Sequence, residues 1–407
     1  MTSVAPETPA RGTRPRNRRE ITLQVATELF YRRGYPRVGM SDIAEATNVG
    51  ASAIYRHFSS KAELLDSALR AGLARYTEVI AEGSAVEGDA GERLSSVLRL
   101  LADSAVELRR HGVLWQRDAR NLPADDQRAL REILSTTAAD LSGIVRAARP
   151  ELDDAQADAL AWFTLGALVS IGFHSQQLPQ PDFDDLLFDI VTRVVATPLP
   201  QKSTHAAQVE DAPAPESRRD NLITVATALF AVRGFAATGI DEIGDAAGIA
   251  GPSVYSHFAS KQAILAAAIE RAAALLRGRT DVILETEEPA EAKLGHLVDS
   301  FVSTANRDRF VIGTLISEMD QLDAEDRERA REEQRRFIDD WVGLLQQITG
   351  VDPVSARIRV QAVLLAVNDA MQTPHLRSQP GFEQTLSLIA KTALEIPITE
   401  SRQLLLP

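Results

Sequence analysis

Apolar side chains recur every third or fourth residue over long stretches of this sequence, as they do on one face of an α-helix. In the segment ITLQVATELFYRRG the inward positions are Leu23, Ala26 and Phe30. Gly34 follows them and is suited to cap the C-terminal end of a helix. The pattern therefore predicts a helix that ends at Gly34.

A second helix is predicted soon after the first. It opens on Ser41, a good N-cap residue, and places Ile43 and Ala46 inward. Asn48 follows, and asparagine tolerates the left-handed backbone that a tight turn between crossed helices requires. A turn is therefore expected at Asn48.

A third, short helix is predicted because Ile54 and Phe58 are spaced to share its inward face, with Val49 closing the turn before it. Two helices joined by a tight turn, the second of them short, form a helix-turn-helix. The sequence therefore predicts this motif between residues 41 and 58.

The whole pattern occurs twice, at an offset of 200 residues. Residues 18–70 align with residues 218–270 without a gap and share 19 identities in 53 positions. The octapeptide IYRHFSSK at 54–61 returns as VYSHFASK at 254–261, and Gly248 takes the place of Asn48. Weaker matches continue beyond residue 270, so a complete unit has been duplicated.

The side chains that point away from the predicted core suit contact with DNA. Small residues such as Ser52 and Ala53 let the backbone approach base edges, and Arg56 can bond to a base. Lys61 lies at a predicted helix N-terminus, where N–H groups and a cation both favour phosphate. Other readings stay open: Tyr55 as a core aromatic, His57 as a packing residue and Lys61 as a solvated lysine.

The runs GMSDIAEATNVGASAIYRHFSSKAELL (39–65) and GIDEIGDAAGIAGPSVYSHFASKQAIL (239–265) resemble the tetracycline-repressor (TetR) family of bacterial regulators. The resemblance covers about 50 residues in each copy. It implies an all-α fold in which each copy has a three-helix DNA-binding head, a long connecting helix from about Lys61 or Lys261, and a helical ligand-binding bundle. It also implies a double-stranded DNA operator as partner.

From the outward face and this resemblance we expect the following residues to contact DNA. In the first copy they are Arg16, Arg18, Arg19, Ser41, Ala51, Ser52, Ala53, Tyr55, Arg56, His57 and Lys61. In the second copy they are Arg218, Arg219, Gly251, Pro252, Ser253, Tyr255, Ser256, His257 and Lys261.

Regulators of this family are usually homodimers of single units, whereas this chain carries two. The sequence therefore suggests an intramolecular pseudo-dimer, with further homodimerisation possible. The expected pairing helices are 153–174 with 183–196 and 353–372 with 382–395. The predicted domains are a disordered basic arm at 1–17, heads at 18–70 and 218–270, ligand-binding and dimerisation bundles at 71–197 and 271–400, and a linker at 198–217.

The bundles of this family bind effectors, and a wide aliphatic interior suits a small apolar or acyl-type molecule. Candidate cavity residues are Trp115, Trp162, Phe163 and His174 in the first copy, and Phe310, Met319, Trp341 and Asn368 in the second. Core packing is the alternative interpretation for every one of these residues.

Charge separates the two copies. The chain carries a net charge of −13, but residues 1–78 hold twelve basic and eight acidic residues. Residues 216–278 hold six of each. Two functions remain open: a ligand-responsive repressor that binds a pseudo-palindromic operator with two non-identical heads, or a regulator whose second unit serves dimerisation or protein interaction.

Other classes of protein find little support. There is no cysteine, and the seven histidines show no metal-ligand spacing. We found no Gly-rich phosphate loop or nucleophile elbow, and no run of about 18 apolar residues that would span a bilayer. We therefore expect a cytoplasmic protein that is not an enzyme, needs no cofactor or metal, and does not enter a membrane.

Overall fold

The computed structural model describes residues 17–200 and 217–396, and every regular element in those ranges is helical. The first unit comprises α1 (Arg18–Arg33), α2 (Met40–Ala46), α3 (Ala51–Ile54), α4 (Lys61–Ser84), α5 (Ala90–Val113), α6 (Ala124–Ala148), α7 (Asp154–Val169) and α8 (Asp182–Ala196). The second comprises α9 (Arg218–Arg233), α10 (Ile240–Ala246), α11 (Gly251–Val254), α12 (Lys261–Leu284), α13 (Ala290–Arg307), α14 (Arg309–Glu318), α15 (Ala324–Thr349), α16 (Pro353–Gln372), α17 (Pro374–Arg377) and α18 (Phe382–Ala393).

The first four helices of each unit begin and end at positions that differ by 200 residues, as the repeat predicted. We call α1–α3 the first head and α9–α11 the second head. The long helices α4 and α12 start at Lys61 and Lys261 and run without a break past residues 70 and 270, where the heads were predicted to end. Each head is therefore joined to its bundle by a continuous helix.

The start of α4 is fixed by its sequence. The Ser60 hydroxyl accepts a hydrogen bond from the Glu63 N–H at 3.1 Å, and the Glu63 carboxylate accepts one from the Ser59 N–H at 2.6 Å. Such caps satisfy N–H groups that have no partner within the helix. Ser260 caps α12 in the same way by accepting from the Ala263 N–H.

The predicted N-cap at Ser41 is wrong. Helix α2 begins one residue earlier, at Met40, and Gly39 occupies the cap position. The Asp42 carboxylate accepts a hydrogen bond from the Gly39 N–H at 2.6 Å, so the cap is closed by a side chain inside the helix. Ser41 is an exposed residue of the first turn, and Ala46 is only half-buried.

The helices predicted to pair the two units do so. Helix α7 packs along α16, and α8 packs against α18. A Cβ atom added to Gly166 would lie 3.1 Å from the Ala366 Cα, so the α7 and α16 backbones approach closely at this glycine. The packing of these helices is thus the largest contact between the two units within the described residues.

One segment, Asp154–Phe173, has the length and apolar composition of a membrane-crossing helix, which the sequence reading did not recognise. In the structure 78% of its most apolar window is buried. Its apolar character matches its place in the core, because it packs on α6 and α8 of its own unit and on α16 of the other.

Candidate nucleic-acid interface

The helix-turn-helix of each head is built as predicted. Asn48 and Gly248 have positive φ angles of 54° and 72°, which turn the chain between the two helices. Ile54 and Phe58 are buried in the first head, as are Val254 and Phe258 in the second. Because these side chains are buried, the opposite face of each short helix faces solvent.

The outward face of the first head carries the expected side chains. Ser52, Arg56 and His57 are exposed, and Ala53 is half-buried. Tyr55 is 53% exposed and its counterpart Tyr255 57%, so neither tyrosine is a core aromatic. A large side chain left exposed at the same position of both heads is available for a partner.

The second head presents a different surface. Pro252, Ser253 and Ser256 are exposed and His257 is half-buried, so position 256 has a hydroxyl where the first head has the Arg56 guanidinium. Gly251 was expected on this surface, but it is buried.

Tight packing of the second head explains the burial of Gly251. A Cβ atom on Gly251 would overlap the Asp241 carboxylate, and one on Gly244 would lie 3.0 Å from the Gly251 Cα. In the first head, Ala44 occupies the position of Gly244. The second head thus packs its short helix closely on α10 and keeps Gly251 away from the surface.

The two lysines are half-buried and make hydrogen bonds within their own heads. The Lys61 ammonium donates to the Tyr35 carbonyl at 3.0 Å and lies 4.1 Å from the centre of the Tyr35 ring. Lys261 donates to the carbonyls of Phe235 and Thr238 at 2.7 and 2.8 Å. Burial lowers the pKa of both lysines, with nearby acids opposing that shift. Each ammonium is thus held by its own head, and a contact with DNA phosphate stays a prediction.

The arginines at the start of α1 and α9 lie beside the short helices. The Arg19 guanidinium sits 4.8 Å from the centre of the Phe58 ring, and Arg219 sits 4.4 Å from that of Phe258. Arg19, Arg218 and Arg219 are exposed and Arg18 is half-buried. Residues 1–16, which include Arg16, lie outside the described residues. The side chain of Ala51 lies outside them as well.

A cavity of the first unit lies between α4, α5, α6 and α7. Its wall is largely apolar and includes Leu69, Leu73, Tyr76, Trp115, Leu165 and Val169. His111 and Thr137 also line it, and sequence reasoning missed both because isolated residues on amphipathic helices give no signal. Burial, with a smaller contribution from Arg110, lowers the pKa of His111 to about 4, so the imidazole is neutral at pH 7.

Of the eight predicted cavity residues, only Trp115 lines this cavity. None of them lines a groove that is present in the second unit. That groove lies between α12 and α15, and its wall carries acids such as Asp281 and Asp340. Phe163, Met319, Trp341 and Asn368 are buried packing residues. Trp162 contacts His375, Phe310 lies under Arg309, and His174 is enclosed with its pKa lowered by burial to about 4.

In both units a buried carboxylate connects the bundle to the head, a feature that no sequence pattern indicated. Asp118 accepts a hydrogen bond from the Tyr35 N–H at 3.3 Å, and Glu318 accepts one from the Phe235 N–H. These N–H groups lie just after α1 and α9. Burial raises the pKa of both carboxyls, that of Glu318 to about 7, against the opposing effect of nearby arginines.

The arginine partners of these carboxylates come from different places. Asp118 pairs at 2.8 Å with Arg117 of its own unit, which also donates to the Phe30 carbonyl at the end of α1. Glu318 pairs instead with Arg120 of the first unit. Arg120 donates in turn to the Phe230 carbonyl at the end of α9. The first bundle therefore contacts the second head directly.

Two exposed helix-turn-helix faces on a paired helical scaffold define a regulator of the DNA-binding class. The family model described as "Bacterial regulatory proteins, tetR family" matches residues 23–68 and 222–268. Each unit of the chain therefore carries a TetR-family N-terminal domain.

Proteins with similar sequences are named as transcriptional regulators. The HTH-type transcriptional repressor KstR2 of Mycolicibacterium smegmatis is 35% identical over 139 residues, which is 33% of this chain and 65% of the relative, so less than two thirds of the relative is covered. KstR2 of Rhodococcus jostii is 28% identical over 190 residues, 46% of this chain and 92% of the relative. The structure of KstR2 of Mycobacterium tuberculosis matches with a TM-score of 0.37 at 22% identity, covering 46% of this chain and 97% of that chain.

Proposed function

We propose that this chain is a ligand-responsive transcriptional repressor that binds one pseudo-palindromic operator through its two non-identical heads. The observation that carries the proposal is the repeated exposed face of α3 and α11, with an outward tyrosine on each and a fully buried framework behind it. A short helix presented in this way fits the major groove of B-form DNA.

The two heads would read different half-sites. The Arg56 guanidinium has the fork geometry for a bidentate contact with guanine, worth on the order of 1–3 kcal/mol. Ser256 occupies the equivalent place in the second head and cannot make that contact. The operator is therefore expected to be an imperfect palindrome.

The effector is proposed to be a small, mainly apolar or acyl-type molecule that binds the cavity of the first unit. The wall of that cavity is largely aliphatic and aromatic, and the neutral imidazole of His111 adds a polar group without a charge. Trp115, at the cavity wall, lies two residues before Arg117, which holds the end of α1. A ligand that shifts this segment would shift the first head.

A second candidate function keeps the first head as the DNA-binding element and uses the second unit for dimerisation or protein interaction. It is favoured by the equal number of acids and bases in residues 216–278 and by the exposure of uncharged Pro252 and Ser253 on the second head. Footprints distinguish the two functions, because a single active head protects only one half-site.

The decisive experiment is a footprint of the purified chain on DNA upstream of its own gene, followed by titration of two matched variants. Arg56→Ala is expected to weaken binding by on the order of ten- to a hundredfold, because a guanine contact is lost. Ser256→Ala removes only a hydroxyl at the equivalent position and is expected to weaken binding less than threefold or so. Equal losses would contradict the unequal half-sites, and no loss from either would contradict DNA reading by these faces.

The effector proposal has its own variant. Leu134→Phe places extra volume in the cavity of the first unit and leaves the exposed side chains of the heads unchanged. Release of DNA by apolar or acyl-type compounds should be lost in this variant, while its affinity for the operator without effector stays within about threefold of the parent. A variant that still responds would show that the effector binds elsewhere.

A further inference from the structure

Polar side chains of the two units meet at several points of the α7, α8, α16 and α18 interface and beside it. The contacts join Arg120 to Glu318, Gln116 to Asp369, Asp158 to His375 and Asp189 to Arg359. Because the units are repeats, each of these residues has an equivalent in the other unit. The residues at the equivalent positions decide whether a unit could also pair with a copy of itself.

The equivalent positions follow from matched helix starts. Asp153 and Asp352 cap α7 and α16, so these helices correspond at an offset of 199 residues. The buried residues Phe183 and Phe382 give the same offset for α8 and α18. Before α7 the offset is 200, as in the heads.

Arg359 is a deeply buried charged residue of the interface, with 5% of its side chain exposed. It pairs at 2.6 Å with Asp189 of the first unit and at 3.1 Å with Glu395 of its own. The residue equivalent to Asp189 is Leu388. Were two second units to pair through this face, Arg359 would keep Glu395 but would meet the partner's Leu388 in place of an acid.

Asp369 and His375 show the same one-sided pattern. The Gln116 amide donates to the Asp369 carboxylate at 2.5 Å, and the residue equivalent to Gln116 is Ile316. His375 lies 2.9 Å from the Asp158 carboxylate, and the residue equivalent to Asp158 is Arg357. A pair of second units would therefore set Asp369 against an aliphatic side chain and His375 against a cation.

The contact beside the second head adds repulsion. Glu318 pairs with Arg120, and the residue equivalent to Arg120 is Asp320. In a pair of second units Glu318 would face an aspartate, and two acids in contact disfavour one another. Each of these four cross-unit polar contacts thus lacks a self-complementary counterpart in the second unit.

We infer that the pairing face of the second unit is built to bind the first unit of the same chain and to reject a second copy of itself. The polar pairs between the two units favour the complex of first with second unit. In a pair of second units, unpaired and like-charged contacts replace these pairs and disfavour association. The interface therefore maintains one first head and one second head per assembly, a property that does not depend on what the heads bind.

The test removes the tether and leaves the assembled protein intact. A protease site is placed within residues 201–216, the folded full-length chain is cut there, and the cut protein is incubated to equilibrium. Native mass spectrometry then counts complexes of first with second unit and of second with second unit, which differ in mass. Mixed complexes are expected to exceed second-unit pairs by at least about tenfold, because the latter lose buried ion-pair partners.

A variant makes the second unit resemble the first at three of these points. Arg359→Leu, Asp369→Ser and His375→Gln introduce the residues found at 160, 170 and 176. The ratio of mixed complexes to second-unit pairs is expected to fall at least about tenfold in this triple variant. The control is Gln384→Leu at an exposed position of α18, which should leave the ratio unchanged.

Circular dichroism establishes whether the triple variant folds. The single variant His375→Gln changes a half-exposed position. It is expected to lower the ratio of mixed complexes to second-unit pairs by a smaller factor. Abundant second-unit pairs in the parent protein would overturn the inference. An unchanged ratio in the variants would overturn it equally.

A second measurement uses the uncut chain, which has no cysteine of its own. A Cβ atom on Gly166 would lie 3.4 Å from the Ala366 Cβ, close to the separation found in disulfides. Gly166→Cys with Ala366→Cys should therefore form a disulfide within one chain, seen as an oxidised monomer on a non-reducing gel. Disulfide-linked dimers of chains would contradict pairing within the same chain.

Discussion

The lysines that begin α4 and α12 join parts of each head that are distant in sequence. Lys61 reaches back 26 residues to the Tyr35 carbonyl, and Lys261 reaches the carbonyls of Phe235 and Thr238. Each ammonium also lies over an aromatic ring of the same segment. These contacts hold the segment between the first two helices of each head against the start of the long helix.

Replacing either lysine should therefore act on stability. Lys61→Ala and Lys261→Ala are each expected to lower the free energy of unfolding by roughly 1–3 kcal/mol, because a charged hydrogen bond and a cation–π contact are lost. Thermal unfolding measures this effect. The slope of log affinity for DNA against log salt should not change, and a drop of about 0.9 for either variant would show instead that the lysine neutralises a phosphate.

Asp369 is the acid that most directly links stability to pH at the unit interface. Burial raises its pKa to about 8, and its hydrogen bond with Asn368 opposes that shift. The folded protein thus keeps a proton that the unfolded chain releases near pH 4, so this group favours the folded state less as the pH rises from 4 to 8. Asp369→Asn retains an acceptor for Gln116 and removes the titration.

The expected result is a flatter dependence of stability on pH. Between pH 5 and pH 8 the parent should lose roughly 1–3 kcal/mol more than Asp369→Asn, as the shift in pKa implies. Thermal unfolding at a series of pH values checks this difference. Parallel pH profiles for the two proteins would mean that Asp369 is not protonated in the folded state.

At the scale of elements, the heads are attached to the bundles in two different ways. The first head has its own apolar cluster, which includes Leu114 and Leu130 from the bundle side. The apolar core of the second head is continuous with the main core of both units. The arginine that holds the end of the head's first helix also differs, since Arg117 acts within its unit and Arg120 acts across to the other.

Arg117 and Arg120 therefore form a matched pair for mutation. Arg120→Ala is expected to increase amide hydrogen exchange in the second head, about a hundred residues along the chain, because Glu318 and the Phe230 carbonyl lose their partner. Arg117→Ala should loosen the first head instead. The effect of Arg120→Ala should be larger at pH 8 than at pH 6, since Glu318 has a raised pKa and is neutral in acid. Increased exchange confined to the first unit in both variants would contradict this assignment.

At the scale of the whole molecule, one chain contains two heads, one in each unit. If both heads bind one operator, a single chain should cover two half-sites about 34–36 Å apart or a multiple of that distance. Native mass measurement of the complex with operator DNA is expected to give one chain per duplex. Two chains on one operator, with four heads, would contradict the pseudo-dimer while leaving DNA binding intact.

Much of this protein follows from the sequence because the signals are local. The spacing of Ile54 and Phe58, the left-handed turn at Asn48 and the cap at Ser60 depend on neighbouring residues, and the repeat displays them twice. These features depend on helical periodicity and on backbone preferences that a short window of sequence contains.

Tertiary structure alone decided where the polar groups point. Lys61 turned inward because a carbonyl and an aromatic ring from residue 35 lie within its reach, and Gly251 became buried because Gly244 lets two helices approach. The cavity beside His111 and the cross-unit contacts of Arg120 and Arg359 join residues from distant segments. Such contacts depend on how helices pack, and packing is determined by the whole core rather than by any one segment.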